Sequence, residues 1–481
     1  MTSKILTPDT IVAIIGAGTM GAGIAQVAAE AKHSVMIFDL GDGAGERGKQ
    51  RIEAGLTKLI KRGKRTHDEV NETLDRISVV KTIAEIAPAG IVIEAIAESL
   101  DAKHGLFCKL EEIVSKDAIL CTNTSSISVT QIASKLKHPE RFAGLHFFNP
   151  APIMKLVEVI SGLATSKDVR DCLMATAQSW GKIAVAARST PGFIVNRVAR
   201  PFYAEALRLV EEQVVDPATL DAIITGSGGF RMGPFKLMDL IGNDINYTVT
   251  CSMFDAYYQD PRFRPSLVQK ELVDAGWLGQ KTGRGFFDYS EGAGKPELCV
   301  ATPNSQAGYD LPLLDGSVII NSDVAILRTD GRTAAARAFD ENRHVILYDY
   351  ILDPSSVTHV GFTASGGVSE STIENFVSSL SRQNISASQL PDWPGLIVLR
   401  TYSMLANEAF ELILHGVADA ESIDNAMRYG VNYPIGPITW ANQIGLETTL
   451  NILELLHAAT GDPRYRVSFG LRSAIAEAKN S

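Results

Sequence analysis

A glycine-rich turn near the start of the chain limits its fold more than any other feature. Residues 11–39 read IVAIIGAGTMGAGIAQVAAEAKHSVMIFD, an apolar strand, a GAGTMG turn, a helical pattern and a second strand. Of the three glycines, the first permits the tight turn and the second lets a pyrophosphate approach backbone N–H groups. The third lets the helix pack closely on the strand. The segment therefore predicts a dinucleotide-binding unit.

Asp39, at the end of the second strand, indicates which dinucleotide binds. Its carboxylate can accept hydrogen bonds from the adenosine ribose hydroxyls. A 2′-phosphate at the same place would meet a like charge, at a cost of about 1–4 kcal/mol at short range. The motif therefore favours NAD over NADP. The candidate cofactor-binding residues of this segment are Gly16, Gly18, Thr19, Met20, Gly21 and Asp39.

The order of apolar segments predicts an α/β domain followed by all-α structure. Strands are predicted at 11–15, 34–38, 90–95, 118–121 and 143–147. Helical patterns between several of them favour a Rossmann-like, doubly wound parallel sheet covered on both faces. A polar helical stretch at 46–74 interrupts this alternation, and residues 193 to about 275 are mostly helical by periodicity.

An internal repeat shows that the helical domain occurs twice. PGFIVNR at 191–197 matches PGLIVLR at 394–400, an offset of 203, and Asn196 is replaced by Leu399. Between the copies, residues 317–327, 331–339 and 344–349 suggest strand, helix, strand. The predicted domains are a Rossmann-like NAD-binding domain (1–190), a helical domain (191–290), a small α/β module (314–385) and a second, degenerate helical domain (386–481), with a linker at 290–313.

Charge and composition exclude several function classes. The net charge of −10 argues against non-specific nucleic-acid binding, because a polyanion would be repelled. Five cysteines without CxxC spacing are typical of a reduced, cytoplasmic protein. The histidines form no metal-binding cluster, so we expect no metal site. The longest apolar runs fall short of the ~20 residues that span a membrane.

A histidine and a glutamate stand inside apolar runs of GLHFFNPAPIMKLVEVI, residues 144–160. His146 and Glu158 would each be costly to bury alone, and the NPAP segment between them can turn the chain back. A carboxylate on one imidazole nitrogen orients the ring and leaves the other nitrogen as a base. Two interpretations fit these residues: a catalytic base with its partner, or a structural His–Glu pair.

Two further polar residues are candidates for substrate contact. Ser125 follows a predicted strand, so it either donates a hydrogen bond in the ligand crevice or caps the next helix. Asn196 lies in an apolar helix start, where a buried amide needs partners. Because the second copy has Leu399 at this place, the fold does not require the amide, which favours a role in a site.

Six motifs in a fixed order resemble the 3-hydroxyacyl-CoA dehydrogenases of fatty-acid β-oxidation. They are GAGTMGAGIA, IEAIAE, TNTSS, GLHFFNPAPIMKLVEV, TPGFIVNR and GQKTGRGFFDY. The resemblance covers about the first 290 residues, and the whole length is similar to a long bacterial subgroup that includes 3-hydroxybutyryl-CoA and 3-hydroxyadipyl-CoA dehydrogenases. That subgroup serves fatty-acid and phenylacetate catabolism.

The resemblance implies roles for particular residues. His146 would be the catalytic base and Glu158 its partner, while Ser125 and Asn196 would position the substrate. Further residues at cofactor positions would be Glu98, Lys103, Asn149 and Lys281. The polar stretch after Asp39 would contact CoA, although its charges also fit a solvated helix face; near the family's contact positions lie Gly55, Lys61 and Arg62.

The expected reaction is reversible, NAD-dependent oxidation of an (S)-3-hydroxyacyl-CoA to a 3-ketoacyl-CoA. The alternatives are a dehydrogenase of a non-CoA hydroxy acid and a non-catalytic NAD-binding protein. An ω-carboxylate on the acyl chain would need a cation, for which the candidates are Arg197, Arg200 and Arg231. Short relatives pair through this helical domain, so we expect either a monomer with an internal pseudo-dimer or a homodimer.

Overall fold

The computed structural model describes residues 5–303, 308–309 and 317–480. They form two compact units, Met1–Val195 with Gly416–Val431 and Asn196–His415 with Asn432–Ser481. Parts of the predicted linker and the start of the predicted α/β module, residues 304–307 and 310–316, lie outside the described residues.

The described residues contain strands, α-helices and short 3-10 helices. The strands are β1 Val12–Ile15, β2 Val35–Phe38, β3 Ile77–Val79, β4 Ile91–Glu94, β5 Ile119–Thr122, β6 Phe142–Phe147, β7 Leu156–Ser161, β8 Ile183–Arg188, β9 Val318–Ile319, β10 Val324–Arg328, β11 His344–Tyr348, β12 His359–Ala364 and β13 Ser386–Gln389. The 3-10 helices are Ile83–Ile86, Pro139–Arg141, Pro261–Phe263, Gln280–Thr282 and Pro463–Tyr465.

The α-helices follow the same chain order. They are α1 Thr19–Glu30, α2 Ala44–Lys61, α3 His67–Asp75, α4 Leu100–Ile113, α5 Val129–Ala133, α6 Lys167–Ser179, α7 Val195–Val198, α8 Arg200–Glu211, α9 Pro217–Gly226, α10 Pro234–Ile241, α11 Asn243–Ala256, α12 Leu267–Asp274, α13 Ala334–Glu341, α14 Glu370–Ser381, α15 Val398–Leu414, α16 Ala420–Gly430, α17 Pro437–Ile444, α18 Leu446–Thr460 and α19 Phe469–Asn480. None of these helices is long and apolar enough to cross a bilayer.

The first unit is built on an eight-stranded sheet in the order β3-β2-β1-β4-β5-β6-β7-β8. The five predicted strands are present as β1, β2, β4, β5 and β6, and the Rossmann-like α/β class is confirmed. The five predicted strands pair parallel with one another, as expected, whereas β7, which was not predicted, pairs antiparallel with β6. The connection at 148–155 is too short for the crossover of a dozen residues that parallel strands need.

The polar stretch predicted as one helical segment at 46–74 is two helices, α2 and α3. The break has a local cause in the sequence. Gly63 adopts a φ of +65°, and Thr66 then begins α3 with a capping box. The Thr66 hydroxyl accepts a hydrogen bond from the Glu69 amide while the Glu69 carboxylate accepts one from the Thr66 amide.

The second unit contains a smaller sheet in the order β13-β12-β11-β10-β9. The single strand predicted at 317–327 was wrong: a turn at 320–323 divides it into β9 and β10, which pair antiparallel. The predicted helix and following strand are α13 and β11. Sequence reading missed β12, α14 and β13, which complete the module.

The helical copies repeat the same backbone path. Helices α8–α12 correspond to α15–α19 in order, so the predicted duplication is confirmed in the fold. Unusual backbone angles also recur at the offset of 203. Phe193 and Leu396 have φ values of +47° and +49°, and Gly242 and Gly445, where α10 meets α11 and α17 meets α18, have +106° and +93°.

Reciprocal ion pairs join the two helical copies. Arg197 of the first copy donates to Glu408 of the second at 2.5 Å, with both side chains at most 3% exposed. In the opposite sense, Glu205 of the first copy accepts from Arg464 of the second at 3.2 Å. Arg197 corresponds to Arg400, whose Nε lies 3.8 Å from Glu205. Such mutual pairing is the pattern of a twofold interface, here between halves of one chain.

We predict that Glu205→Gln will destabilise the protein by about 3 kcal/mol, because Arg464 and Arg400 lose the carboxylate that compensates their buried charge. The matched control is Glu447→Gln, which breaks an ion pair with Lys479 in which both side chains are more than 60% exposed. That change should cost about 0.5 kcal/mol or less. Chemical denaturation measures both. Equal stability of the two variants would show that the buried ion pair of Glu205 does not stabilise the association of the two helical copies.

Candidate active site

His146 and Glu158 face each other across the β6–β7 hairpin. They are direct partners in the strand register, and His146 Nδ1 lies 2.6 Å from Glu158 Oε2. Exposure is 6% for His146 and 1% for Glu158. The contact assigns Nδ1 as the donor to the carboxylate, so the lone pair of a neutral ring is on Nε2. The structure thus brings the two residues together as the sequence predicted.

The second oxygen of Glu158 is also used. Glu158 Oε1 accepts hydrogen bonds from the backbone amides of Ile194 and Val195 at 3.0 and 3.1 Å. A buried carboxylate is stable only with such partners. One side chain therefore orients the imidazole and binds the start of the segment that leads into α7.

Aromatic rings enclose the imidazole. The ring of Phe148 has its centroid 4.5 Å from that of His146, and the ring of Phe193 lies 5.9 Å away. On the other strand edge, Asn123 Oδ1 accepts a hydrogen bond from the Phe147 amide at 2.8 Å. These contacts leave the ring little freedom to rotate, which suits a base that must present one nitrogen.

Glu98 organises the loop after β5. Its Oε1 accepts hydrogen bonds from the Thr124 hydroxyl at 2.5 Å, the Ser126 hydroxyl at 2.9 Å and the Ser125 amide at 3.2 Å. Burial raises the pKa of Glu98, but the Thr124 hydrogen bond and the charge of Lys103 outweigh burial and hold that pKa below its usual value. The family resemblance implied that Glu98 lies near the cofactor. The structure adds that the Glu98 carboxylate fixes the conformation of the loop after β5.

Beneath Glu98 lies a buried charge network that sequence reading missed. Lys103 Nζ contacts Glu94 Oε1 at 2.6 Å and Glu98 Oε2 at 3.3 Å, and Lys103 and Glu94 are at most 1% exposed. Glu94 Oε2 accepts a hydrogen bond from the Thr122 hydroxyl. The available signal was a carboxylate that directly follows the apolar residues of β4, much as Glu158 stands among apolar residues.

Ser125 is exposed, and among the described residues its hydroxyl has no hydrogen-bond partner. The capping interpretation of Ser125 was wrong. Ser128 caps α5 instead, since its hydroxyl accepts from the Gln131 amide at 3.2 Å. The Ser125 hydroxyl is therefore available to a ligand.

The glycine turn has the geometry that a dinucleotide requires. A Cβ on Gly21 would lie 1.8 Å from the Gly16 carbonyl oxygen. Helix α1 can therefore pack this closely on the turn after β1 only because residue 21 is glycine. Gly16 has a φ of +101°, which favours glycine. A Cβ on Gly18 would meet nothing within 4 Å, so the space over the turn is open to a pyrophosphate.

Beside the turn lies a cavity of about 670 Å³ with Phe38, Asp39 and Leu40 at one end and Ile96 in its wall. The Asp39 carboxylate accepts from the Ala17 amide at 2.7 Å and the Gly41 amide at 2.8 Å. Each oxygen keeps a free acceptor position for a ribose hydroxyl. The residues present therefore fit the adenosine half of NAD.

Several predicted residues belong to the second unit. Asn196 is partly buried, and its carbonyl accepts from Arg200 Nε at 3.0 Å. Lys281 Nζ contacts Asp244 at 2.6 Å. Of the arginine candidates for an ω-carboxylate, Arg231 is exposed, and Arg197 already forms an ion pair with Glu408. Arg200 is 5% exposed and has no carboxylate partner among the described residues, and burial lowers its pKa.

The remaining candidates lie on the surface of the first unit. Asn149 is exposed two residues after β6. Lys61 ends α2 and Arg62 is its C-cap, and both side chains are exposed. The charged groups of Lys61 and Arg62 are therefore accessible to a ligand, although the described residues form no pocket around them.

Family models match most of the chain. Residues 11–190 match the 3-hydroxyacyl-CoA dehydrogenase NAD binding domain, and residues 192–289 and 395–480 both match the C-terminal domain of the same family. Residues 326–394 match a 3-hydroxybutyryl-CoA dehydrogenase reduced Rossmann-fold domain.

Individual relatives agree with these models. The chain is 45% identical to the 3-hydroxyadipyl-CoA dehydrogenase of Escherichia coli K12 over 95% of each protein. It is 43% identical to a probable 3-hydroxybutyryl-CoA dehydrogenase of Bacillus subtilis, over 58% of this chain and 96% of that one. A crystal structure of 3-hydroxybutyryl-CoA dehydrogenase from E. coli K12 superposes with a TM-score of 0.92 at 44% identity, covering 99% of this chain and all of that one.

We predict that Gly18→Val will weaken NADH binding at least about tenfold without lowering the melting temperature, because the new side chain enters open space over the turn. Fluorescence titration with NADH and a thermal melt measure the two effects. Gly21→Ala should instead lower the melting temperature, since its Cβ would collide with the Gly16 carbonyl. Gly294→Val, at another open glycine, is the matched control. Unchanged NADH affinity in Gly18→Val would refute the assigned turn.

Proposed function

The chain belongs to the 3-hydroxyacyl-CoA dehydrogenase family, and we propose that its His146–Glu158 pair is the general base of an NAD-dependent oxidation. The enzyme is an oxidoreductase whose reaction converts an (S)-3-hydroxyacyl-CoA to a 3-ketoacyl-CoA, reversibly. The observation that carries the residue assignment is the 2.6 Å contact that commits Nδ1 to the carboxylate and leaves Nε2 as the base.

In this proposal His146 Nε2 accepts the proton of the substrate C3 hydroxyl. Imidazole suits this step because its neutral form has a free lone pair that accepts a proton. As the ring becomes imidazolium, the carboxylate of Glu158 stabilises the charge through Nδ1. The amides of Ile194 and Val195 keep that carboxylate in place throughout.

NAD, when bound, supplies the hydride acceptor. In the proposal the turn at 16–21 holds its pyrophosphate and Asp39 its adenosine ribose. Glu98 and Lys103 support the loop beside it, and Asn149 and Lys281 are further proposed contacts. Of these, Glu98 and Lys103 have the strongest structural support, because Glu98 accepts hydrogen bonds from the loop of Ser125 and contacts the buried Lys103 at 3.3 Å.

Ser125 and Asn196 are the proposed substrate-positioning residues. The free hydroxyl of Ser125 supports its role, because the hydrogen bonds of the loop are carried by Thr124 and Ser126 instead. The role of Asn196 is supported by the repeat, because the second copy has Leu399 at this position and the fold therefore does not require an amide here. Their contribution is orientation of the reacting carbon. We propose Lys61 and Arg62 as contacts for the CoA phosphates, because their exposed charges are free.

For the acyl chain we propose 3-hydroxybutyryl-CoA or the dicarboxylic 3-hydroxyadipyl-CoA, the substrates named for the relatives. Arg200 supports acceptance of an ω-carboxylate. Its guanidinium is buried beside Asn196 and donates to the Thr250 hydroxyl at 3.0 Å, without a carboxylate among the described residues. A buried cation of this kind gains most from an anionic partner.

We further propose that the four predicted segments, 1–190, 191–290, 314–385 and 386–481, act as cofactor domain, helical domain, small module and structural second copy. The reciprocal ion pairs support a chain that works as a monomer with an internal pseudo-dimer. A homodimer through another surface is the alternative. Five free cysteines support a cytoplasmic location.

His146→Gln should lower kcat at least about 100-fold, the usual range for loss of a general base, while NADH affinity stays unchanged. Glu158→Gln should also slow turnover. The control is Leu399→Ala in the second copy, which should lower stability by about 2–4 kcal/mol but keep kcat. Steady-state kinetics and thermal melts separate the two outcomes. Turnover close to that of the wild type in His146→Gln contradicts the assignment.

Arg200→Met should lower kcat/KM for 3-hydroxyadipyl-CoA about tenfold or more, which corresponds to roughly 1.4 kcal/mol, and should change that for 3-hydroxybutyryl-CoA about twofold at most. Arg231→Met, an exposed arginine of the same unit, is the control. Equal effects on both substrates would rule out Arg200 as the partner of an ω-carboxylate. Failure of the wild-type protein on every 3-hydroxyacyl-CoA would instead favour a non-CoA hydroxy acid or a non-catalytic role.

A further inference from the structure

The small module contains a counterpart of the His146–Glu158 pair. In the first sheet Glu158 is paired with Val185, and in the small sheet Gly361 is paired with Ser388. Val185 and Ser388 differ by 203 positions, the offset of the repeat. Gly361 therefore occupies the place of Glu158.

Asp349 occupies the place of His146. His146 lies opposite Glu158, and the Asp349 amide donates to the Gly361 carbonyl at 2.9 Å. Asp349 is fully buried and its carboxylate accepts from the amides of Ile397 and Val398 at 2.9 and 2.8 Å. With Leu399 at the position of Asn196, the second copy has neither the proposed base nor the proposed substrate-positioning amide.

A cavity of about 260 Å³ lies at this place, lined by Tyr350 and Leu399 among others. It lies at the carboxyl end of β10, where α/β sheets bind their ligands. Leu327, Leu399 and Ile452 provide apolar wall, together with the ring of Tyr350. A concave site without a reacting group is suited to binding rather than to chemistry.

One cation in the cavity wall is uncompensated. Arg337 pairs with Asp330 and with Glu341, so these wall charges balance. Arg328 is exposed, lies 5.6 Å above the Tyr350 ring, and has no carboxylate partner among the described residues. A guanidinium placed on an aromatic ring at a concave site matches a carboxylate ligand.

We propose that this cavity binds a small aliphatic monocarboxylate of about four to six carbons, with its carboxylate on Arg328 and its chain against Leu327, Leu399 and Ile452. The volume is below the roughly 300–1,000 Å³ of pockets for drug-sized ligands, so an entire CoA thioester does not fit. Among the cations of the described wall residues, Arg328 alone lacks a carboxylate partner, which favours a ligand with one carboxylate over one with two, because a second would be desolvated against the apolar wall.

The test is an NMR titration of the full-length protein with carboxyl-labelled hexanoate, in which a Kd on the order of 1 mM is expected. Arg328→Met should weaken binding at least about tenfold, and Leu399→Trp, which fills the cavity, should abolish it. Hexan-1-ol, which lacks the charge, should bind at least about tenfold more weakly than hexanoate. Arg382→Met, an exposed arginine of the same module, should bind as the wild type does.

Each variant is also assayed for turnover of 3-hydroxybutyryl-CoA. Turnover within about twofold of wild type in Arg328→Met shows an intact fold, so a loss of hexanoate binding then reports on the cavity. Two results overturn the proposal: no hexanoate binding to the wild type at tens of times the expected Kd, or binding that survives both Arg328→Met and Leu399→Trp. Survival would mean that hexanoate occupies some other site, including the catalytic cleft.

Discussion

A buried carboxylate that accepts hydrogen bonds from the first amides of a helical segment is the interaction on which this structure depends. Glu158 does this for Ile194 and Val195, and Asp349 does it for Ile397 and Val398. The four amides occupy equivalent positions in the two copies. An unpartnered carboxylate in either place would cost several kcal/mol, so sheet and helix start must form together.

The difference between these two carboxylates explains why only one copy has the His–Glu pair that we propose as the base. Glu158 uses one oxygen for the backbone and offers the other to His146 Nδ1. Asp349, which stands at the position of the histidine itself, gives both oxygens to backbone amides, including that of Leu399 at 3.2 Å. The second carboxylate is wholly structural, and burial raises its pKa to about 6.

Much of the fold and site was predictable because each signal was local. The glycine turn, Asp39 and the repeat are visible in short windows, and each corresponds to the expected structure. Strands β3, β7 and β8 were not predicted, and for the first two the reason is physical. β3 has three residues, and β7 contains Glu158, whose burial is favourable only once distant amides reach it. The network of Lys103 and Glu94 escaped notice in the same way.

The sequence by itself determined the cofactor turn, the class of the fold, the duplication and the pairing of His146 with Glu158, because these depend on residue type and short spacing. Only the tertiary structure decided how buried charges are compensated: that Glu205 lies against Arg464, that Glu98 shapes the loop of Ser125, and that Arg328 stays free beside a cavity. Charge compensation joins residues up to hundreds of positions apart, and no local pattern encodes such a partner.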